Sequence, residues 1–193
     1  MAVGIVKGGN NDTSSLPAFL DSTRYTVYDN FDSYSTATFT TNTNWTVGSG
    51  NGGSCEITAS TNAGGANKEV DLKADADASG ASATITTKLL LPKNTWCRLK
   101  PVFSSTYDTG SCKITFGGTS YTFATGQGTA SAWTSIMIIN TAIEAYDVYI
   151  GGKLFGSLSS ISDASAQLAI NIRNTNSNTD AHHHLYVDDV RQW

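Results

Sequence analysis

The sequence is poor in charge and in residues that favour helices. Charged residues make up 15% of the 193, and glutamate occurs only at Glu56, Glu69 and Glu144. Glycine, serine, threonine and asparagine instead contribute 18, 22, 26 and 14 residues. Because these four residue types are weak in helix interiors, the composition excludes a protein built from long helices. It favours short strands joined by tight turns.

Clusters of lysine or arginine are absent, and the net charge is −4 with a pI near 5.2. Nucleic acids and anionic membranes attract basic surfaces, so we expect neither as a partner. No apolar run approaches the roughly 18 residues that a membrane span needs. Residues 1–7 also lack the apolar core of a signal peptide. We therefore expect no export by the usual secretory route.

Cysteine is scarce, with three residues at Cys55, Cys97 and Cys112. Their number is odd and their spacing does not match a metal site, so at most one disulfide is expected. We interpret them as small buried or half-buried thiols.

The first 24 residues differ from the rest and contain few apolar side chains. We interpret residues 1–24 as an extended arm for attachment or oligomerisation, and residues 25–193 as one β-sandwich domain. Exposed apolar groups on a polar chain are explained by docking onto another subunit or a particle surface, so we expect a homo-oligomer. A loosely packed tail is the alternative. The expected anchoring residues are Val3, Ile5, Val6, Leu16, Phe19 and Leu20.

From Tyr25 onward the apolar residues alternate as in consecutive strands. Gly117-Gly118 and Gly151-Gly152 predict tight hairpin turns, and the apolar run 136–139 predicts a central strand covered on both faces. The fold class is therefore all-β, a two-sheet antiparallel sandwich with adjacent first and last strands, in which only 157–166 suits a short helical turn, and the family resemblance given next implies that this sandwich is a jelly roll. The predicted strands are 25–31, 37–47, 54–60, 67–75, 82–91, 95–103, 111–116, 119–125, 132–139, 143–150, 153–156, 166–173 and 183–191.

Two segments carry a family resemblance. Tyr146–Gly156, reading YDVYIGGKLFG, resembles a hairpin of concanavalin A-like and laminin-G-like jelly rolls, and a strand that begins with Trp133 precedes it. The ending Leu185–Val190, reading LYVDDV, is similar to the closing strand of that superfamily and of calcium-containing carbohydrate-binding jelly rolls. These motifs are short and shared by many activities, so they indicate fold far better than function.

The resemblance also implies a cofactor. In several of these jelly rolls an opening strand with an acidic residue and the closing Asp-Asp-Val strand share one structural calcium. In this sequence Asp32, Asp188 and Asp189 occupy those places. Since Ca²⁺ takes six to eight oxygen ligands, we expect Asp32 and one of the two adjacent aspartates to contribute. The alternative is that Asp188 and Asp189 bond turn amides or Arg191.

Motifs of catalysis are absent. Glycosidases of this superfamily carry paired acidic residues in an E-x-D-x-x-E pattern, which this sequence lacks, and no G-x-S-x-G elbow occurs. We therefore expect no catalytic residue. His182, His183 and His184 are consecutive, and we interpret them as solvated residues at the start of the last strand. For glycan contact the exposed aromatic candidate is Tyr107, next to Asp108 in a turn.

Three functions compete. The first is a non-enzymatic virion surface protein, a capsid decoration, head-fibre or tail-fibre component, whose lectin-like jelly roll binds host-surface polysaccharide. Its arm would hold virion proteins or its own subunits, and cytoplasmic assembly followed by lysis would place it outside without an export signal. The alternative is a free, extracellular carbohydrate-binding module of a secreted protein. A glycoside hydrolase ranks last.

Overall fold

The computed structural model describes residues 26–59, 67–74, 80–88, 94–103, 110–126, 129–130, 132–162, 165–175 and 182–192. Within these ranges no helix is long and apolar enough to cross a membrane. Fourteen strands follow in chain order: β1 Thr26–Asp29, β2 Trp45–Gly50, β3 Ser54–Ala59, β4 Lys68–Ala74, β5 Ser82–Thr87, β6 Thr95–Phe103, β7 Gly110–Phe116, β8 Thr119–Gly126, β9 Thr129–Ala130, β10 Thr134–Ala142, β11 Ala145–Ile150, β12 Lys153–Leu158, β13 Leu168–Asn174 and β14 His183–Gln192.

The strands form two antiparallel sheets. The larger sheet has the order β12-β11-β10-β6-β14-β4-β3, with β1 added beside β14 and β9 beside β6. The smaller sheet has the order β2-β5-β13-β7-β8. The all-β sandwich predicted from the sequence is confirmed, and so is the adjacency of the first and last strands, since Thr26 lies opposite Gln192.

The core lies between the sheets because each strand alternates apolar and polar residues. In β14, Leu185 and Val187 are fully buried, whereas His184 and Tyr186 point to the other side of the sheet and stay half-buried. The three cysteines are buried and unpaired, as expected. Burial raises the pKa of the Cys97 thiol to about 12, which keeps this thiol protonated and unreactive at neutral pH.

Glycine pairs close two of the hairpins as predicted. Gly117 and Gly118 have φ values of 55° and 79°, and Gly151 and Gly152 have 56° and 78°. Two successive positive φ values define the type I′ turn, whose twist matches that of the flanking strands. These turns fix the registers of β7 with β8 and of β11 with β12.

Two local predictions are wrong. The predicted strand 37–47 is irregular as far as Asn44, apart from a bridge between Thr38 and Glu56, and the strand instead runs through the glycines at 48 and 50. This strand ends at a turn through Asn51 and Gly52, where φ is positive. The run 136–139 is covered on one face only. Ile136 and Ile138 are buried, while Met137 and Ile139 on the outer side are half-buried.

A buried carboxylate joins the first strand to the smaller sheet. Asp29 is 6% exposed, and its Oδ2 accepts hydrogen bonds from Nε1 of Trp45 at 2.8 Å and from Oη of Tyr34 at 2.8 Å. Its Oδ1 accepts from the backbone N–H of Phe31 at 2.9 Å. Trp45 begins β2, so these bonds connect β1 in one sheet with β2 in the other. A buried carboxylate needs such donors to offset its lost hydration.

We expect Asp29→Asn to lower the free energy of unfolding by about 2–4 kcal/mol, because an amide cannot accept the hydrogen bonds that two carboxylate oxygens share and leaves a donor unpaired. Urea denaturation followed by tryptophan fluorescence measures this change. The exposed Asp32, three residues along, provides the matched control, and in buffer with a chelator, where no Ca²⁺ is bound, Asp32→Asn should cost less than about 1 kcal/mol. Equal effects of the two substitutions would contradict the assigned role of Asp29.

Candidate functional site

A line of polar side chains crosses the outer face of the larger sheet. Glu56 on β3 lies opposite Asp71 on β4, Asp71 lies opposite Tyr186 on β14, and Tyr186 lies opposite Lys100 on β6. We call these four residues the polar row. They share one face because cross-strand partners in an antiparallel sheet point the same way. The row combines two acids, one base and an aromatic ring.

Side-chain contacts order the centre of the polar row. The imidazole of His184 stacks on the ring of Tyr186, with centroids 5.8 Å apart and an angle of 9° between the planes. The ammonium group of Lys100 lies 5.8 Å from the centroid of the same ring, a cation–π arrangement. Burial, followed by the negative charges of Asp71 and Glu69, raises the pKa of Tyr186 to about 12. The phenol therefore stays neutral and offers both a donor and an acceptor at physiological pH.

Asp71 holds the imidazole of His184 in place. Nδ1 of His184 lies 3.0 Å and 2.9 Å from the two carboxylate oxygens of Asp71. An ionised carboxylate only accepts hydrogen bonds, so Nδ1 is the donor and carries a proton. Nε2 is then the ring nitrogen left for a further partner. The side chain of His184 is 23% exposed, which leaves the ring open to solvent.

A second charged cluster adjoins the row at the end of β14. One guanidinium nitrogen, Nη2 of Arg98, lies 2.6 Å from Oδ2 of Asp188 and 3.0 Å from Oδ2 of Asp189. Arg191 contacts the other oxygen of Asp189 at 2.7 Å. Arg98 also lies over the ring of Trp133, 5.4 Å from its centroid. Two arginines therefore compensate the adjacent carboxylates.

A β-bulge explains why both aspartates reach the same arginine. Neighbours on a regular strand face opposite sides, and this reasoning led us to expect only one of the pair at a site. Asp189 instead has a φ of 53°, and the pairing of β14 with β6 shifts register between Asp188 and Arg191. The extra residue of a bulge turns a side chain that would otherwise point away. The backbone N–H of Asp189 also donates to Oδ1 of Asp188 at 2.7 Å.

These contacts match the hydrogen-bonded alternative for the acidic residues. Asp32, in the loop after β1, is exposed and accepts from the backbone N–H of Lys68 at 2.8 Å and from Nδ2 of Asn30 at 2.9 Å. Among the residues that the structure describes, no group of three or more His, Cys, Asp or Glu side chains is arranged to hold a metal ion. Calcium at Asp32, Asp188 and Asp189 stays a prediction.

Other predicted site residues have different outcomes. Tyr107 and Asp108 lie outside the described residues, and so do all of the expected anchoring residues of the arm. The expectation of solvated histidines is wrong for His183, which is fully buried and packs edge-on against Phe103 with centroids 5.6 Å apart. Alternation along β14 places His183 on the core side and His184 on the outer side.

Sequence reasoning missed the polar row, although a signal for it is present. The segment Glu69–Lys73, reading EVDLK, places three charged residues on one face of β4, and His184–Asp188, reading HLYVD, places a histidine, a tyrosine and an aspartate on one face of β14. Each pattern indicates a polar outer face. That the two faces are adjacent follows only from the sheet order.

Comparisons with known proteins support the fold. No protein-family model matches the chain, and no curated protein matches it in sequence. A similar solved structure comes from work on endo-acting O-glycanases of the human gut microbiota that initiate mucin breakdown. It is 11% identical, with 85% of this chain and 96% of the other covered and a TM-score of 0.51.

Two further structures resemble the chain at 8% identity. An uncharacterized protein from Mycobacterium paratuberculosis has a TM-score of 0.50, with 88% of this chain and 99% of the other covered. A GH16 protein of a Bacteroides ovatus mixed-linkage glucan system, in complex with its product, has a TM-score of 0.49, with 78% and 94% covered. At such low identity the likeness concerns the fold alone, a two-sheet antiparallel β-sandwich.

The charged cluster predicts a pH dependence of stability. Burial, reinforced by Asp189 and opposed by Arg98, raises the pKa of Asp188 from 3.8 to about 6. The native state therefore keeps this proton at pH values where the unfolded chain releases it. Between about pH 4 and pH 6 we expect the free energy of unfolding to fall as pH rises, by on the order of 2–3 kcal/mol from this group.

Urea denaturation at intervals from pH 4 to pH 7, for the wild type and Asp188→Asn, measures this contribution. The asparagine variant should lack it, so the difference between the two proteins should change steadily across the window. Titrating groups that do not interact with Asp188 cancel in that difference. Parallel pH profiles would contradict the raised pKa.

Proposed function

We propose that this chain is a non-enzymatic glycan-binding protein of a virion surface, and that it binds sugar over the polar row. The single observation behind the binding proposal is the ordered centre of the row, where an aromatic ring lies among charged hydrogen-bonding groups. Pyranose rings present C–H groups that pack on aromatic faces and hydroxyls that bond to carboxylates, amines and imidazoles. Tyr186, Asp71, Lys100 and His184 offer both kinds of contact.

The polar groups of the row suit a hydroxyl-rich ligand. The phenol of Tyr186 is neutral, and Nε2 of His184 is left as an acceptor by the bond that Asp71 makes to Nδ1. Glu56 is exposed at one end of the row and Lys100 is half-buried at the other. Four strands of the larger sheet position these side chains, so little ordering remains to be done on binding.

The virion part of the proposal depends on the sequence. Residues 1–24 carry apolar groups on an otherwise polar segment, which suits attachment to a particle or to other subunits. The low charge of the chain suits a particle exterior. A free carbohydrate-binding module of a secreted protein would share the polar row but would not need the arm.

Binding is tested on a printed glycan array, followed by calorimetry with the oligosaccharide that binds most tightly. Tyr186→Ala should reduce the affinity about tenfold or more, a loss of about 1.4 kcal/mol. Tyr149→Ala is the matched control, because Tyr149 is also on the outer face but lies three strands away on β11. No binding by the intact protein, or loss with Tyr149→Ala alone, would contradict the proposed site.

One observation favours a glycoside hydrolase as the second candidate. Asp188, whose pKa is raised to about 6, lies on the same face of the larger sheet as Asp71, and glycoside hydrolases use two carboxyl groups, one of them with a raised pKa. Mass spectrometry of the oligosaccharide after incubation separates the two functions. Shortened products that disappear in Asp188→Asn would establish a hydrolase, and unchanged ligand supports binding alone.

Deleting residues 2–24 tests the virion role. We expect the truncated chain to remain a soluble, folded sandwich with unchanged glycan binding but to lose oligomerisation or incorporation into particles. Circular dichroism, light scattering and co-sedimentation with particles measure these properties. Normal incorporation of the truncated chain, or a monomeric intact protein, would favour the free carbohydrate-binding module.

A further inference from the structure

The three histidines of the chain are consecutive, and the fold separates them. His183 enters the core, whereas His182 and His184 lie together with ring centroids 6.3 Å apart and an angle of 89° between the planes. Two imidazoles that bind one metal ion have centroids about 5–6.5 Å apart, because each nitrogen lies about 2.0–2.1 Å from the ion. The observed separation falls within that range.

The tautomer of His184 is the one that a metal site requires. Both oxygens of Asp71 hold Nδ1, at 2.9 Å and 3.0 Å, so the lone pair of the imidazole is on Nε2. Metal-binding histidines commonly donate the other ring N–H to a carboxylate, which orients the ring and increases its basicity. Asp71 provides this second contact before any ion is bound.

The charged side chains near His184 favour binding of a cation. Glu56 lies directly across from Asp71, and Glu69 lies two residues before it on the same face of β4. Lys73, opposite His184, and Lys100, opposite Tyr186, are the basic groups that oppose these negative charges.

We propose that His182 and His184 bind one divalent transition-metal ion, with Asp71 holding His184 in the binding orientation. Imidazole nitrogen selects Zn²⁺, Ni²⁺ or Cu²⁺ rather than Ca²⁺ or Mg²⁺, so this site differs in chemistry from the calcium expected at the acidic residues. The described residues offer no third ligand of the His, Cys, Asp or Glu type. Two histidines leave further coordination positions, which water or another ligand would fill.

The test uses untagged protein, since a polyhistidine tag would bind the same ions. Calorimetry with Cu²⁺, Ni²⁺ and Zn²⁺ should give one site per chain with Cu²⁺ bound most tightly. Electron paramagnetic resonance of the Cu²⁺ complex should show coupling to two imidazole nitrogens. Binding of Cu²⁺ without nitrogen coupling, or more than one equivalent site, would contradict the proposal.

Substitutions assign the ligands. His182→Ala and His184→Ala should each reduce Cu²⁺ affinity at least tenfold, and circular dichroism checks that both variants are folded. Asp71→Asn should reduce it about tenfold to a hundredfold, the usual effect of losing such a carboxylate. Glu56→Gln removes a neighbouring charge without contacting the imidazole and should cost less than threefold. Equal losses of affinity for Asp71→Asn and Glu56→Gln would mean that Asp71 acts only through its negative charge and does not orient the imidazole of His184.

One measurement does not depend on any variant. Nitrogen-15 spectra of the wild type should show His184 protonated at Nδ1 before metal is added, and its Nε2 signal should shift on addition of Zn²⁺. A signal that does not respond would overturn the proposal. The metal site and the proposed glycan contact both use Nε2 of His184, but calorimetry with metal ions alone and the glycan array test the two separately.

Discussion

The antiparallel pairing of β14 with β4 and β6 is the constraint on which the rest of the structure depends. This pairing places β14 between two other strands of the larger sheet, where its apolar side chains Leu185 and Val187 complete the core. The same pairing orders the outer face, because Tyr186 lies between Asp71 and Lys100 only in this register. A shift by one residue would turn every core residue of β14 to the outside. Stability and the candidate site therefore depend on one set of backbone hydrogen bonds.

Buried charge is compensated in two ways. Asp29 is held by neutral donors from the backbone, a tyrosine and a tryptophan, and it joins the two sheets. Asp188 and Asp189 are held by arginines, and the bulge lets both carboxylates share Arg98. The raised pKa of Asp188 shows that the arginine does not fully offset burial and the neighbouring charge. Such incomplete compensation is common where a fold maintains a group for chemistry or for a ligand.

The outer face of the larger sheet concentrates the ionisable groups of a chain that has few of them. The polar row, the His184–Asp71 pair and the Asp188–Arg98 cluster lie on adjacent strands. Positions on a sheet are more rigid than positions on loops, and a site on strands is ordered before its ligand arrives. The proposed glycan contact and the proposed metal site both use this rigidity. Both proposals use His184. The glycan contact also requires Tyr186, whereas the metal site requires His182.

Local patterns in the sequence determined the class of the fold. Alternation predicted nearly every strand, because the side-chain period of two is a property of each strand by itself, and glycine pairs predicted the hairpins at 117–118 and 151–152. The pattern failed at 37–44, where an irregular segment pairs with β3 through an isolated bridge between Thr38 and Glu56, and it did not predict that β2 continues through its glycines, where β5 pairs with it. Local patterns in the sequence could not predict the candidate site. Asp71 and His184 are 113 residues apart in the chain. The contact of both Asp188 and Asp189 with Arg98 depends on a β-bulge, which the spacing of residues in the sequence does not predict. Which distant strands lie side by side is decided by the packing of the whole sandwich, so only the tertiary structure brought these residues together.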